Sequence, residues 1–281
     1  MIQKLRMPNS SDLSSHSKTK NGNPIVSIVT VVLNGESVLE ETILSVIKQT
    51  YRNIEYIVID GNSSDRTVDI IKNYSHFIHH WISKDDNGIY DAMNVGASMA
   101  TGQLIGFLNA GDYLFPNAIS ELADSFKKNN FDYSLGPVII EDENASFERV
   151  YNPLQNINID SNLLSSMPSA HMSIYMKRSF FNELDGFDLN FKLSSDYDLI
   201  IRAISISDKK WYFSNPVGVF KTGGASGSFK THIENYYVYK KHYVPFLTRF
   251  LKLFFSLLRA SLVKITPKKI AKFFRSFLEL K

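Results

Sequence analysis

Residues 54–67 read IEYIVIDGNSSDRT, a strand-like apolar run that ends at Asp60 in an acidic turn. A second apolar run, Leu104 to Leu108, leads into the turn Asn109-Ala110-Gly111-Asp112. If the two runs are neighbouring strands of a parallel sheet, their carboxylates lie beyond the carboxyl ends of the strands, where such sheets bind ligands. The pattern therefore predicts a crevice that suits a nucleotide and a metal ion.

Apolar runs alternate with helical patterns between residues 24 and 140. The spacing predicts strands at Val26 to Val32, Glu55 to Ile59, His79 to Ser83, Leu104 to Leu108 and Tyr133 to Ile140. It also predicts a helix whose apolar positions are Val38, Leu39, Ile43, Val46 and Ile47. Alternation of this kind indicates an α/β fold with a mostly parallel central sheet flanked by helices.

The composition is that of a folded protein without cysteine chemistry. The 281 residues are 44% hydrophobic, which is enough to bury the core of a large domain. The absence of cysteine excludes disulfides, zinc–thiolate sites and cysteine nucleophiles, and it fits a reducing cytoplasm. Residues 1–23 are polar and lack the apolar segment of a signal peptide, so we expect a flexible tail on a cytoplasmic protein.

Charge is distributed unevenly along the chain. Residues 240–281 hold eleven Lys or Arg and one acid, Glu279, so this end carries +10 and the rest of the chain −7. A nucleic-acid-binding protein would be expected to have its basic surface on the folded body, so this distribution argues against that class. It favours a tail that meets anionic lipid.

Both common glycine-rich phosphate loops are missing from the sequence. No G-x-G-x-x-G follows the first predicted strand, and no G-x-x-x-x-G-K-[ST] occurs anywhere. A bound diphosphate would therefore need a divalent cation or basic side chains to offset its charge. Asp112, on a tight glycine turn, is a suitable oxygen ligand for magnesium or manganese. An EF-hand at Asp60 is excluded because its sixth position is Asp65 and its twelfth is Ile71.

Five segments together carry a resemblance to a known family. They are Pro24 to Asn34, Ser45 to Tyr51, Glu55 to Thr67, Asp86 to Gly96 and Gly102 to Asp112. In order and spacing they resemble the nucleotide-binding half of family 2 glycosyltransferases with the GT-A fold, of the type found in bacterial polysaccharide biosynthesis.

The resemblance covers roughly residues 24–228 and implies how the chain is divided. Residues 24–228 would form the GT-A catalytic domain, with a nucleotide-sugar half at 24–115 and an acceptor half at 116–228. The polar tail 1–23 precedes this domain, and a basic amphipathic helical tail, 229–281, follows it.

The resemblance also implies where the donor binds. The nucleotide-sugar site would comprise Thr30, Val31, Asn34, Asp60, Asp86, Asp91, Asn94 and Asn109. Among these, Asp60 would accept a hydrogen bond from an N–H of the base, such as that of uracil, and Asp86 and Asp91 would lie near the ribose and sugar. Asn109 to Asp112 occupies the place of the family's D-x-D motif, which makes Asp112 the expected ligand of Mn²⁺ or Mg²⁺.

The second half resembles the acceptor side of the family at Pro168 to His171, at Gly186 to Asp188 and at Ser194 to Arg202. By this resemblance Asp196 is the catalytic base. A cap from Ser194 or Ser195 would place Asp196 in the first turn of a helix, where the helix dipole favours its ionised form. Asp198 is the rival carboxylate, and both it and His171 are acceptor-side candidates.

Each candidate also has a structural explanation. Asp60 and Asp112 are common turn formers beside glycine, and Asp196 could act as a helix cap alone. His171 could be a hydrogen-bonded structural histidine. The Gly223 to Ser226 turn could be a lid over the donor or a simple loop.

The C-terminal region predicts amphipathic helices. The apolar residues Ile270, Phe273, Phe274, Phe277 and Leu278 recur at helical spacing. The segment Phe246 to Val263 is strongly apolar, but three basic residues interrupt it, so we expect it to lie on a membrane and not to span one. Packing on the catalytic domain or on a second subunit is the alternative.

The resulting expectation is an inverting glycosyltransferase of cell-surface glycan assembly. It would move a hexosyl or N-acetylhexosaminyl group from a UDP-sugar to a saccharide or lipid-linked saccharide, in the cytoplasm or on the inner face of the membrane. No nucleic-acid partner is expected, and a homo-oligomer is an open alternative. The rival functions are a non-catalytic nucleotide-sugar or glycan-binding protein and a nucleotidyltransferase on a similar fold.

Overall fold

The computed structural model describes residues 22–141, 148–153, 167–222 and 229–265. Its strands are β1 (Val26–Val32), β2 (Ile54–Asp60), β3 (His80–Ser83), β4 (Leu104–Phe107), β5 (Tyr113–Leu114), β6 (Tyr133–Leu135), β7 (Val138–Glu141), β8 (Glu148–Tyr151), β9 (Tyr175–Lys177), β10 (Lys210–Tyr212) and β11 (Gly218–Lys221). Its α-helices are α1 (Leu39–Ile47), α2 (Thr67–Asn73), α3 (Ile89–Met99), α4 (Ala118–Asn129), α5 (Arg178–Glu183), α6 (Ser195–Ile206), α7 (Phe229–Lys241) and α8 (Phe246–Ile265).

A seven-stranded sheet in the order β10-β6-β9-β4-β1-β2-β3 forms the centre of the fold. Its strands run parallel to one another except β9, which is antiparallel to both β4 and β6. A smaller sheet in the order β5-β11-β7-β8 lies beside it. The prediction of a mostly parallel sheet flanked by helices is confirmed.

The interior strand β1 explains why the sheet is covered on both faces. All seven of its residues are buried. Val29 and Val31 point into one hydrophobic cluster and Val26, Ile28 and Val32 into the other. Because side chains alternate between the two faces of a strand, a strand with five apolar residues among seven, on both faces, requires packing on both sides.

Four of the five predicted strands agree with the structure to within a residue at each end, and one prediction is wrong. Tyr133 to Ile140 is not a continuous strand, because it breaks at Gly136-Pro137 and feeds both sheets as β6 and β7. Pro137 has no N–H to donate to a ladder. Gly136 lies so close to Phe213 that a Cβ atom there would be 2.7 Å from its ring.

Several predicted features fall outside the described residues. These are most of the polar tail 1–23, the Gly223 to Ser226 turn and the helical pattern at 270–278. The apolar segment that begins at Phe246 is described as far as Ile265 and is helical, as predicted. Among the helices within the described ranges, none has the length and apolar character needed to cross a membrane.

The contact between β4 and β9 gives a test of the central packing. Gly106 pairs with Tyr175, and a Cβ atom at Gly106 would lie 2.2 Å from the Tyr175 ring. We expect Gly106→Ala to lower the free energy of unfolding by about 1–3 kcal/mol, because overpacking forces a core to shift. Urea denaturation measures this change. In a Tyr175→Leu background the added methyl has more room, so an equal cost in both backgrounds would contradict this packing.

Candidate active site

The carboxyl ends of β2, β1 and β4 meet at one edge of the central sheet. Val32 at the end of β1 pairs with Asp60 at the end of β2, and β1 also pairs in parallel with β4. The two runs that carry the acidic turns, β2 and β4, are therefore not neighbouring strands, because β1 lies between them. The turns that leave these strands therefore share one side of the molecule. This is the place where ligands bind to open α/β sheets.

The turns after β1 and β2 are locked to each other. The Asn34 backbone N–H donates to Ser63 Oγ at 2.7 Å, and Asn34 Oδ1 accepts from the Ser64 N–H at 2.9 Å. Asn34 has a φ of 51°, in the left-handed region that asparagine tolerates. The Gly35 N–H donates to Thr67 Oγ1 at 2.8 Å. Asn34 thus organises the two turns, and it is exposed at the edge of the crevice.

Asp60 lies beneath the crevice. Its side chain is 0% exposed, and it accepts hydrogen bonds from the Ser63 hydroxyl at 2.5 Å and the Ser83 hydroxyl at 2.6 Å. Contact between Asp60 and a base would require the loop after β2 to move. Thr30 and Val31 are also buried, and Thr30 Oγ1 accepts from the Tyr56 hydroxyl at 3.1 Å. The donor contacts of these three residues stay predictions.

The segment before and within α3 uses its polar groups locally. Asp86 Oδ1 accepts from the Gly88 N–H at 2.8 Å, and Asp91 Oδ2 accepts from the Asn87 N–H at 2.9 Å. Asn94 binds the Phe187 backbone through both ends of its amide, at 2.9 and 3.0 Å. Asn94 therefore joins α3 to the loop that precedes α6, while Asp86 and Asp91 shape the start of α3.

Asp112 follows a turn that depends on glycine. Gly111 has a φ of 102°, which a residue with a Cβ atom rarely adopts. The turn buries Asp112, whose Oδ1 accepts from the Lys221 N–H at 3.0 Å. Burial raises the pKa of Asp112 to about 7, although that hydrogen bond and the Lys221 charge oppose the shift. Burial also lowers the pKa of His171, whose Nε2 lies 3.6 Å from Asp112 Oδ2.

Three buried polar atoms around this turn lack hydrogen-bond partners within the described part of the chain. They are Asn109 Oδ1, Asp112 Oδ2 and His171 Nε2. An unsatisfied buried polar group is costly, and such groups often mark an ion or water site. Amide and carboxylate oxygens suit Mn²⁺ or Mg²⁺, and an imidazole nitrogen is a ligand of transition-metal ions, which favours Mn²⁺ over Mg²⁺. Within the described ranges, no group of three or more His, Cys, Asp or Glu side chains is placed to hold a metal ion.

Asp196 lies in the first turn of α6 and Ser194 is the N-cap residue, as predicted, but the Ser194 hydroxyl makes no capping hydrogen bond. Asp196 Oδ1 accepts the Tyr197 N–H at 2.8 Å, which is the N–H that a hydroxyl of Ser194 could have bound as a cap. The hydroxyls of Ser194 and Ser195 are buried, and within the described ranges they have no hydrogen-bond partner. The Asp196 side chain thus accepts a hydrogen bond from one of the backbone N–H groups in the first turn of the helix.

Tyr90 is the site residue that the sequence did not predict. Its hydroxyl donates to Asp196 Oδ1 at 2.7 Å, which links α3 to α6. Burial, followed by the charge of Asp196, raises the pKa of Tyr90 well above its ordinary value, so this hydroxyl stays a donor. The sequence contains no signal for this role, because an aromatic residue in the first turn of an apolar helix is usually a core residue. Its partner Asp196 also lies 106 residues further along the chain.

A cavity of about 40 Å³ brings the two halves of the site together. Asn109, His171, Asp196 and Tyr90 form its polar part, and the remaining lining residues are apolar side chains such as Phe107 and Phe187. This volume holds one or two water molecules. Asp112 joins the group through its contact with His171, whereas Asp60 does not line the cavity.

Asp198, an acceptor-side candidate, has a structural role in α6. It is 0% exposed and is bound by Arg202 Nε at 2.8 Å, Lys241 Nζ at 2.8 Å and His242 Nε2 at 2.9 Å. Burial raises the pKa of Asp198, but the hydrogen bonds from His242 and Lys241 and the charge of Arg202 outweigh it, so the pKa falls to about 2. Asp198 therefore holds α7 against α6.

This ion cluster gives stability a defined pH dependence. At neutral pH, Asp198→Asn leaves Arg202 and Lys241 without their shared counter-charge, and we expect a loss of about 3 kcal/mol in the free energy of unfolding. The native pKa lies below the ordinary value, so the native state binds fewer protons than the unfolded state. The stabilisation is present above about pH 4 and disappears as the pH falls towards 2.

Urea denaturation of the wild type and of Asp198→Asn across this pH range measures the effect. The stability difference should shrink as the pH falls below about 4. Asp208→Asn, at an exposed aspartate beyond α6, is the matched control and should match the wild type. A constant difference between pH 7 and pH 3 would contradict the assignment.

Comparisons of sequence place this chain among known proteins. Residues 27–184 match glycosyl transferase family 2. An uncharacterized glycosyltransferase of Mycobacterium tuberculosis (strain CDC 1551 / Oshkosh) is 30% identical over 192 residues, or 66% of this chain and 71% of that protein. A PGL/p-HBAD biosynthesis glycosyltransferase of Mycobacterium bovis (strain BCG / Pasteur 1173P2) is 29% identical over 187 residues, or 65% of this chain and 70% of that protein.

Comparisons of structure agree with those of sequence. The structure of S. aureus TarS in complex with UDP-GlcNAc aligns with a TM-score of 0.63 and 14% identity, over 86% of this chain and 73% of that one. A mannosyltransferase from Pyrobaculum calidifontis, in complex with GDP-Man and Mn²⁺, aligns with a TM-score of 0.60 and 13% identity, over 92% and 81%. Both similarities concern the fold. The chain has the GT-A fold and belongs to glycosyl transferase family 2.

Proposed function

We propose that this glycosyltransferase transfers a sugar with inversion from a nucleotide-diphosphate sugar to a hydroxyl of a saccharide or lipid-linked saccharide in cell-surface glycan assembly. The observation that carries the proposal is the shared cavity, where Asp196 from α6 meets Asn109 and His171 at the edge of the sheet. The candidate base and two residues with unsatisfied ligand atoms, Asn109 and His171, thus line one space, and Asp112, which has the third such atom, contacts His171.

Asp196 is the catalytic base in this proposal. Tyr90 donates to Oδ1, so Oδ2 is the oxygen oriented to take the proton of the acceptor hydroxyl. Asp196 lies in the first turn of α6 and lines the cavity, so its carboxylate is placed to take a proton from an acceptor hydroxyl there. As the proton moves to Asp196, the acceptor oxygen bonds to the anomeric carbon from the side opposite the leaving diphosphate. The bond from that carbon to the diphosphate breaks, which inverts the configuration.

Asn109, Asp112 and His171 would hold the divalent cation, Mn²⁺ or Mg²⁺. Their unsatisfied atoms fit such an ion by ligand type and by burial. When bound, the cation supplies positive charge that offsets the leaving diphosphate. The P. calidifontis mannosyltransferase was solved with Mn²⁺, which supports a cation in this fold. We therefore propose His171 as a ligand of the cation, and not as the acceptor-side residue that the sequence suggested.

The donor proposed is a UDP-sugar that carries a hexosyl or N-acetylhexosaminyl group. The structure of TarS with UDP-GlcNAc supports this choice. The GDP-Man complex of the P. calidifontis mannosyltransferase makes guanine the alternative base. The uracil would lie over Thr30, Val31, Asn34 and Asp60 at the ends of β1 and β2. The ribose and sugar would face Asp86 and Asp91 at the start of α3.

The acceptor proposed is a glycan or a lipid-linked glycan, with the enzyme in the cytoplasm or on the inner face of the membrane. The M. bovis relative is named for PGL/p-HBAD biosynthesis, which supports a glycan attached to a larger cell-surface molecule. Residues 1–239 carry a net charge of −7, which argues against a nucleic-acid partner.

Substitution of the base tests the mechanism. Asp196→Asn keeps the shape of the side chain but removes its capacity to take a proton, so turnover should fall by about 10²–10⁴-fold. Release of nucleoside diphosphate from a panel of UDP- and GDP-sugars measures turnover. Donor-induced thermal stabilisation should be unchanged, and Asp208→Asn should behave as the wild type.

The other outcomes of this experiment each contradict part of the proposal. Full turnover in Asp196→Asn removes this residue from the role of base. Release of pyrophosphate identifies a nucleotidyltransferase instead. A wild-type chain that binds a donor without turnover, across a panel of saccharide acceptors, is a binding protein.

Removal of the cation ligands tests the metal site without an activity assay. We expect Mn²⁺ together with UDP to raise the melting temperature of the wild type, because a ligand that binds the native state stabilises it. Asp112→Asn and His171→Gln should lose most of the Mn²⁺-dependent increase. His80→Gln, at an exposed histidine, is the matched control. Equal stabilisation in all four proteins, or none in the wild type, would contradict the site.

A further inference from the structure

One face of α8 is an exposed apolar stripe. Its residues are Phe246, Leu247, Phe250, Leu251, Phe254, Phe255 and Leu258, and each is between 43% and 66% exposed. Pairs of these residues recur every four positions, so they share one side of the helix. The opposite side packs on α7. A contiguous apolar patch of this kind is rare on the surface of a soluble protein and marks an interaction surface.

Two basic residues of α8, Arg249 and Lys252, lie beside α7 at the edges of the stripe. Arg249 lies over the ring of Tyr236 at 5.2 Å and donates from Nε to its hydroxyl at 3.2 Å. Lys252 lies over the ring of Tyr239 at 5.5 Å. Both side chains therefore lie along the boundary between α7 and α8 while the aromatic stripe faces outwards. Phe246–Ile265 contains four Lys or Arg and no acid.

We infer that α8 lies in the surface of an anionic lipid bilayer, with its aromatic stripe among the acyl chains. An apolar face bordered by cationic side chains is the pattern of a helix that lies parallel to a membrane. No helix within the described ranges has the character to span one. The inference is independent of the catalytic proposal, because it concerns a different surface.

Charge decides between a bilayer and a second copy of the chain. A symmetric dimer through this stripe would set two copies of the same basic helix against each other, because both subunits use the same surface. Residues 240–281 carry +10, so the two copies would repel. An anionic bilayer attracts the same charges.

A membrane at α8 would have a fixed relation to the active site. Lys241 and His242, at and just beyond the end of α7, bind Asp198 in α6. Glu234 of α7 accepts the backbone N–H groups of Lys192 and Leu193, which lead into α6, at 3.0 and 2.7 Å. The helix that carries Asp196 is thus joined to the helix pair that meets the lipid.

Vesicle sedimentation of the full chain tests the inference. The probes are vesicles of phosphatidylcholine alone and vesicles that also contain phosphatidylglycerol. We expect the wild type to bind the anionic vesicles at least about tenfold more tightly, with loss of binding at high salt. The double variant Phe250→Ser/Phe254→Ser should lose at least about tenfold of this binding. Val150→Ser/Ile206→Ser, which removes two exposed apolar side chains elsewhere, should bind as the wild type.

The remaining outcomes overturn the inference. Equal binding of the two vesicle types contradicts a role for anionic lipid. Unchanged vesicle binding by Phe250→Ser/Phe254→Ser would show that basic residues of the chain, and not the apolar stripe, bind the membrane. Absence of vesicle binding, together with a wild-type dimer that the double variant dissociates in light scattering, makes the stripe a subunit interface. Circular dichroism and donor-induced thermal stabilisation, unchanged in the double variant, show that it is folded.

Discussion

The parallel alignment of β1 with β2 and β4 is the constraint on which the rest of the molecule depends. Burial on both faces of β1 fixes its position in the interior of the sheet, and the register then places the ends of the neighbouring strands together. A slip of one residue would turn the side chains of a strand to the opposite face. The turns at this edge are consequently set by a hydrophobic pattern that lies several residues away from them.

Hydrogen-bond satisfaction separates the acidic residues of this protein into different roles. Asp60 and Asp198 are fully buried and bound by neighbouring donors, so they shape the structure around them. Asp112 is buried too, but its Oδ2 has no hydrogen-bond partner among the described residues, and His171 and Asn109 present similar atoms. An unbound carboxylate oxygen is ready for a ligand, whereas Asp60 would first have to exchange a serine hydrogen bond for one from the base.

The sequence predicted the fold more fully than the details of the site. Strand periodicity located β1 to β4, since burial of alternating or continuous apolar positions is a local signal. It failed at Gly136-Pro137, where a single apolar run serves two sheets. In the site, Asp196 lies in the first turn of α6 and Ser194 is the N-cap residue, as expected, but Asp196 and not the Ser194 hydroxyl binds the Tyr197 N–H. Contacts such as that of Tyr90 with Asp196 join segments that are distant in the sequence, so a local sequence pattern cannot predict them.

Residues Asp196 and Asp198 show how one helix can serve two sides. They are two positions apart, and therefore about 200° apart around the helix axis. Asp196 can thus line the cavity while Asp198 is held from behind by Arg202, Lys241 and His242. Because Asp198 is fully buried and bound from two helices, rotation of α6 would break an ion cluster that water cannot readily replace. The position of the cavity carboxylate is therefore set by the packing of α7 on the far side of its own helix.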